Sequence, residues 1–138
     1  YRRDEGKLEN QEWVSPVVNT TADGSLYLTV RDLAKWDSAL YGTRLFTRES
    51  LAQIRTPATL TDGANTSYGF GWRVGSAGAH PIMTHGGSWQ GFKSYIVRYP
   101  DDGITVVTFA NLAEADVTTI AQGVAALWDP ALKPLSEE

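Results

Sequence analysis

The residues whose types and spacing could do chemistry cluster in Thr84-His85-Gly86-Gly87-Ser88-Trp89-Gln90-Gly91-Phe92. A histidine followed by two glycines at a strand end lets a ligand approach the backbone closely, because glycine has no Cβ. Backbone N–H groups there can point at a developing oxyanion, and the His85 imidazole can donate or relay a proton. The same letters also describe a glycine-rich turn with a hydrogen-bonded histidine, and spacing alone leaves both readings open. Other constellations carry less. Gly86-Gly87-Ser88-Trp89-Gln90 nearly spells the Gly-x-Ser-x-Gly nucleophile elbow, but the last position is Gln90. A triad on Ser88 would have to draft His80 and one of several aspartates. His80 and His85 have neither helical nor strand spacing for a shared metal ion. Trp89, beside the glycines, is placed to touch a substrate.

Elements that would position this segment can be read on either side of it. Thr29-Val30-Arg31-Asp32 is a capping-box-like start, followed by Leu33, Trp36 and Leu40 on one helical face, and Gly42 is the stop. This predicts a helix over 30–41. A shorter one follows over 48–55, with Thr47 as N-cap, Leu51 and Ile54 on its buried side and Pro57 as its limit. Residues 57–67 read as a loop.

The period then changes to that of strands, over about 68–110. Tyr68-Gly69-Phe70-Gly71-Trp72-Arg73-Val74 alternates large and small residues, as in a strand whose glycine side is closely covered. A loop at 75–79 leads to a short strand from Ile82 to about His85. Lys93–Tyr99 and Ile104–Ala110 form a hairpin around Pro100-Asp101-Asp102-Gly103. The second of these strands is apolar on both faces, which predicts helices on both sides of the sheet. Asp116 caps a last helix over 117–128, with Val117, Ile120, Ala121, Val124, Leu127 and Trp128 as its apolar positions and Pro130 as its end. Trp36 and Trp128 read as core residues. The fold class is therefore α+β, in helix, antiparallel sheet and helix layers, with three or four strands. Residues 1–23 read as an extended lead-in anchored by Trp13, Val17 and Val18, and 24–138 as the domain.

Composition excludes several classes. The 138 residues carry 12 Lys and Arg against 16 Asp and Glu, a net charge of −4, and so lack the basic stripe that nucleic acid requires. No apolar run approaches the roughly 20 residues of a membrane span. With no cysteine there is no disulfide, thiolate nucleophile or Cys-type zinc site. Five Trp, six Tyr and four Phe supply ample apolar bulk for a core. The first residue is Tyr1 and the sole methionine is Met83, so the chain reads as a piece of something longer.

Several segments together resemble the C-terminal part of the serine β-lactamase and penicillin-binding-protein-like hydrolases, including class C enzymes, D-amino-acid peptidases and esterases. They are Gly24 through Trp36, Tyr68-Gly69-Phe70-Gly71-Trp72, His85-Gly86-Gly87 with Gly91-Phe92, and Tyr99-Pro100-Asp101 leading to Val106-Val107 and Asn111. Each is weak alone; the ordered set, over about residues 22–128, is specific. The resemblance implies the C-terminal portion of a β-lactamase/transpeptidase-like fold with its N-terminal elements missing. His85-Gly86-Gly87 resembles the family's third box in its His-x-Gly form. That gives His85 an electrostatic or proton-relay role, lets Gly87 keep the strand edge open and makes the Ser88 backbone N–H an oxyanion-hole donor. Gly86 and Trp89 would contact substrate.

The departures are equally specific. In the family a Ser-x-x-Lys box supplies nucleophile and base, and a Tyr-x-Asn box assists proton transfer. None of the nine serines here has Lys three residues on, and no Tyr is followed two residues later by Asn. The expectation is a fragment, inactive alone, whose complete parent hydrolyses an amide or ester (a β-lactam, D-amino peptide or simple ester) through an acyl-enzyme. Substrate choice would lie with the missing half and with cleft loops at 57–67 and 75–81. No metal or organic cofactor is implied. The partners implied are a small-molecule or peptide substrate in the parent, and either the missing N-terminal half or a second copy along the exposed sheet. By family habit the parent is periplasmic or secreted. The alternative is a binding or scaffold module that keeps the fold without the chemistry.

Overall fold

The structure, a computed structural model, describes residues 1–11, 24 and 26–132. Trp13, Val17 and Val18, the anchors expected in the lead-in, lie outside the described residues. Residues Arg2–Asp4 (β1) and Lys7–Glu9 (β2) form a small antiparallel hairpin, reversed at Glu5 and Gly6 with φ of 46° and 81°. The Tyr1 carbonyl accepts from the Ala113 N–H at 2.9 Å, which ties this hairpin to the loop after the last strand.

The remaining strands form one five-stranded antiparallel meander in chain order: Tyr68–Gly69 (β3), Trp72–Ala77 (β4), His80–Trp89 (β5), Phe92–Tyr99 (β6) and Ile104–Ala110 (β7). Five strands rather than three or four arise from a turn inside a stretch that reads as continuous. Phe70 and Gly71 take φ of 46° and 84°, a two-residue reversal closed by the Gly69–Trp72 pair. The close cover expected on the glycine side is present at Gly69, where a Cβ would lie 2.5 Å from the Thr56 carbonyl oxygen, but not at Gly71, which stands open in the turn. Residues 75–79 are not an open loop. They complete β4 and turn at Gly78-Ala79, closed by the Ala77–His80 pair. The strand expected from Ile82 to His85 is accordingly longer at both ends.

Each helix begins where a side chain satisfies an otherwise orphan backbone donor. The Thr29 hydroxyl accepts from the Asp32 N–H at 3.1 Å and the Asp32 carboxylate accepts from the Thr29 N–H, a complete capping box on α1 (Val30–Ala39). Thr47 caps α2 (Arg48–Ile54) and Asp116 caps α3 (Val117–Trp128) in the same way. Helix α1 ends at Leu40 in right-handed geometry, so Gly42 does not act as a left-handed stop.

Both faces of the sheet are covered, as the two-sided apolar pattern requires. On one face Val97, Tyr99 and Ala77 pack with Ala121, Ala125 and Leu132 beneath α3. On the other, Trp72, Met83 and Ile96 pack with Leu40 of α1, flanked by Leu33, Ile54 and Val74. The second face also holds an ion pair: buried Arg98 bonds Asp37, which also accepts from Thr105 at 3.0 Å. The Arg98 guanidinium lies 4.8 Å from the Tyr41 ring and 5.8 Å from that of Trp72. Trp36, expected in the core, is exposed and stacks on Trp72, with centroids 6.0 Å apart. Trp128, expected in the core, is 78% exposed. Helix α3 meets the sheet through Val117, Ala121 and Ala125, whose small size allows close approach. Its apolar arc is wider than that contact, so Ile120, Val124 and Leu127 face outward with Trp128.

Candidate active site

Two strands of unequal reach create the site. Strand β4 pairs with β5 from Ala77–His80 to Arg73–Thr84 and goes no further. The ladder between β5 and β6 continues from Met83–Arg98 to Trp89–Phe92. Residues 85–89 therefore pair on one side alone among the described residues, and alternate N–H and C=O groups of the other edge face outward. This edge holds His85, Gly86, Gly87, Ser88 and Trp89. All five residues proposed from the sequence are thus on one strand segment, four exposed and Trp89 half-buried.

Alternation along the strand divides them. His85, Gly87 and Trp89 share the face of Met83, toward α1; Gly86 and Ser88 share the opposite face with Tyr95, toward α3. A Cβ at Gly87 would meet the Ser94 hydroxyl and require that side chain to rotate. The His85 Nε2 lies 3.0 Å from the Tyr68 hydroxyl, the rings tilted at 53°. The Ser88 Oγ accepts from Lys93 Nζ at 2.9 Å across the hairpin. A cavity of about 300 Å³ lies behind this pair, lined by Gly86, Lys93, Tyr95, Asp116 and Thr118. Asp116 is held below its ordinary carboxylate range, first by the Thr119 backbone N–H and then by the Thr119 side chain.

The drafted triad does not assemble. Ser88 engages Lys93, His85 engages Tyr68, and His80 sits at the far end of β5 with its Nδ1 3.0 Å from Asp102. The two imidazoles do not converge on a common ligand. Residues 75–81, expected as a cleft loop, form the hairpin at that same far end, remote along β5 from His85.

Two residues of the site were not singled out from the sequence. Lys93 could have been: a two-residue loop at Gln90-Gly91, with Gly91 at φ 73°, places Ser88 opposite Lys93. Tyr68 could not, because its route to His85 depends on the turn at Phe70-Gly71.

Residues 1–127 match the family model described as Beta-lactamase. The chain belongs to the beta-lactamase family. Among its beta-lactamase-family relatives is penicillin-binding protein 4* of Bacillus subtilis (strain 168), 29% identical over 109 residues, covering 78% of this chain and 24% of that protein. The D-aminopeptidase of Gluconobacter oxydans (strain 621H) is 26% identical over 125 residues, covering 88% and 23%. That of Brucella ovis is 26% identical over 119 residues, covering 86% and 23%. The chain thus spans about a quarter of the length of these relatives. As a member of this serine hydrolase family it carries the α+β layering expected above: helices on both faces of an antiparallel sheet.

Proposed function

We propose that this chain is the sheet-bearing part of a beta-lactamase-like serine hydrolase whose nucleophile is supplied by residues outside it. The observation that supports this reading is the edge of β5 at His85–Trp89, unpaired among the described residues, with glycines at its centre. A substrate can lie along such an edge as an added strand, its carbonyl oxygen against a backbone N–H. In the proposed reaction a serine Oγ attacks the carbonyl carbon of an amide or ester. The oxyanion is held in part by the Ser88 N–H, the C–N or C–O bond breaks as the leaving group gains a proton, and water then hydrolyses the ester. His85 supplies charge stabilisation or relays the proton; Gly86 and Trp89 contact the acyl portion. The names of the relatives favour β-lactams and D-amino peptides as substrates over simple esters.

By this reading the chain alone is inert. A fluorescent penicillin or fluorophosphonate probe should leave it unlabelled, and should label a longer product of the same reading frame at a serine of a Ser-x-x-Lys box. In that product His85→Ala should lower kcat at least about tenfold with the fold intact. Covalent labelling of Ser88 overturns the reading. So does a reading frame without either upstream box, which favours a binding module instead.

A further inference from the structure

We propose that Tyr68 is a positioning residue for His85: its hydroxyl donates to Nε2, fixes the imidazole at the open edge and leaves the ring proton on Nδ1. The proposal rests on the reading of His85 as part of the reaction site.

Tyr68 is 39% exposed, and both of its backbone polar groups are bonded. Its N–H donates to Thr66 Oγ1 at 3.2 Å, and its carbonyl accepts from Thr66 Oγ1 at 2.7 Å and from the Ala58 N–H at 2.9 Å. Ser67, just before it, and Phe70, two residues after it, take φ of 54° and 46°, which is uncommon for residues other than glycine. Between them Gly69 slides under the Thr56 carbonyl, where any Cβ would collide. The loop at 56–66 thus clamps one short backbone segment, and the group it aims is the Tyr68 hydroxyl, 3.0 Å from His85 Nε2. The clamped segment pairs with β4 and sends the Tyr68 hydroxyl to the histidine of the open edge.

Acid–base chemistry sets the direction of the bond. A phenolic O–H is a better donor than a neutral imidazole N–H, and an imidazole nitrogen a better acceptor than a phenolic oxygen. Donation by Tyr68 therefore occupies the Nε2 lone pair and selects the Nδ1–H tautomer. The nitrogen left for a substrate is then a hydrogen-bond donor, suited to a carbonyl oxygen, an oxyanion or a carboxylate. In the ground state His85 acts as an electrophilic contact rather than as a base. Proton withdrawal from the serine must fall to another group.

Two-bond 1H–15N correlation spectra read this directly, at a pH where the ring is neutral. The protein has two histidines, so His80, held by Asp102, is the internal reference. His85 is expected as the Nδ1–H tautomer. Tyr68→Phe should lower the ratio of Nδ1–H to Nε2–H by about fivefold, the factor that one ordinary hydrogen bond supplies, with His80 unmoved. An Nε2–H tautomer at His85 in the unsubstituted protein overturns the proposal, whether or not the variant folds. A ratio unchanged in a folded Tyr68→Phe variant also overturns it. The spectra report the ring and not turnover, so a negative result here is distinct from failure of the hydrolase reading, which the His85→Ala kinetics decide.

Discussion

The two halves of strand β5 are made of one continuous backbone and differ in the neighbour they pair with and in burial. From His80 to Thr84 the strand is paired with β4, and Met83 and Thr84, which pair with β6 as well, are buried. From His85 to Trp89 it is paired on one edge and almost entirely exposed. The change occurs in one residue step, where β4 gives way to the Phe70-Gly71 turn. The buried side chains lie in the first half; the second half presents an exposed edge. A short neighbouring strand is enough to turn paired sheet into an open edge.

Substitutions can test that division, and the largest effect should come from the closed half. Met83→Ala removes a side chain 2% exposed and should cost about 3 kcal/mol in urea unfolding. His85→Ala, two residues along the same face, should cost less than about 0.5 kcal/mol, as exposed positions do. Equal losses would erase the contrast. Gly69→Ala comes next, at about 2 kcal/mol, because the colliding atom is the backbone oxygen of Thr56 and cannot rotate away. It should also broaden or move the His85 resonances, which links the clamp to the open half. Without a partner strand, the open edge should promote self-association, visible as concentration-dependent elution in size-exclusion chromatography. A clean monomer at all concentrations would mean that the edge is blunted by its own side chains.

The smallest effect concerns the wall behind the open half. The Asp116 carboxylate is lowered from its ordinary value of 3.8, chiefly by the Thr119 backbone N–H. A carboxyl group lowered on folding contributes stability that is fully present above that ordinary value and is lost as pH falls through the folded one. Asp116→Asn keeps a cap but removes the titration, so it should flatten the acid limb of the stability profile while leaving neutral stability nearly unchanged. An acid limb identical to that of the unsubstituted protein would remove Asp116 from the account.

What could be read in advance follows from how far each interaction reaches. Thr29, Thr47 and Asp116 are legible as caps because each bond spans three residues. The two-sided apolar pattern of Ile104–Ala110 is legible because it requires only alternation, and it correctly implies cover on both faces. His85-Gly86-Gly87 stands out because glycine pairs beside a histidine are a local steric statement. The turn at Phe70-Gly71 is hidden, because Phe is not a residue that signals positive φ and adopts it here under the pull of the surrounding sheet. The fate of Trp128 is hidden too: periodicity locates an apolar arc on α3 but not which part of it the sheet covers.

By itself, then, the sequence determined the helix starts, the hairpin around Pro100–Gly103, the apolar strands and the strand segment that carries the candidate chemistry. Only the tertiary structure decided where β4 stops, which face each site residue takes and that Tyr68, seventeen positions away, meets His85. Caps and turns are set by bonds between near neighbours, whose preference is present in the local letters. Strand length and register are set by pairing summed over the whole sheet, and no residue's own preference contains that sum.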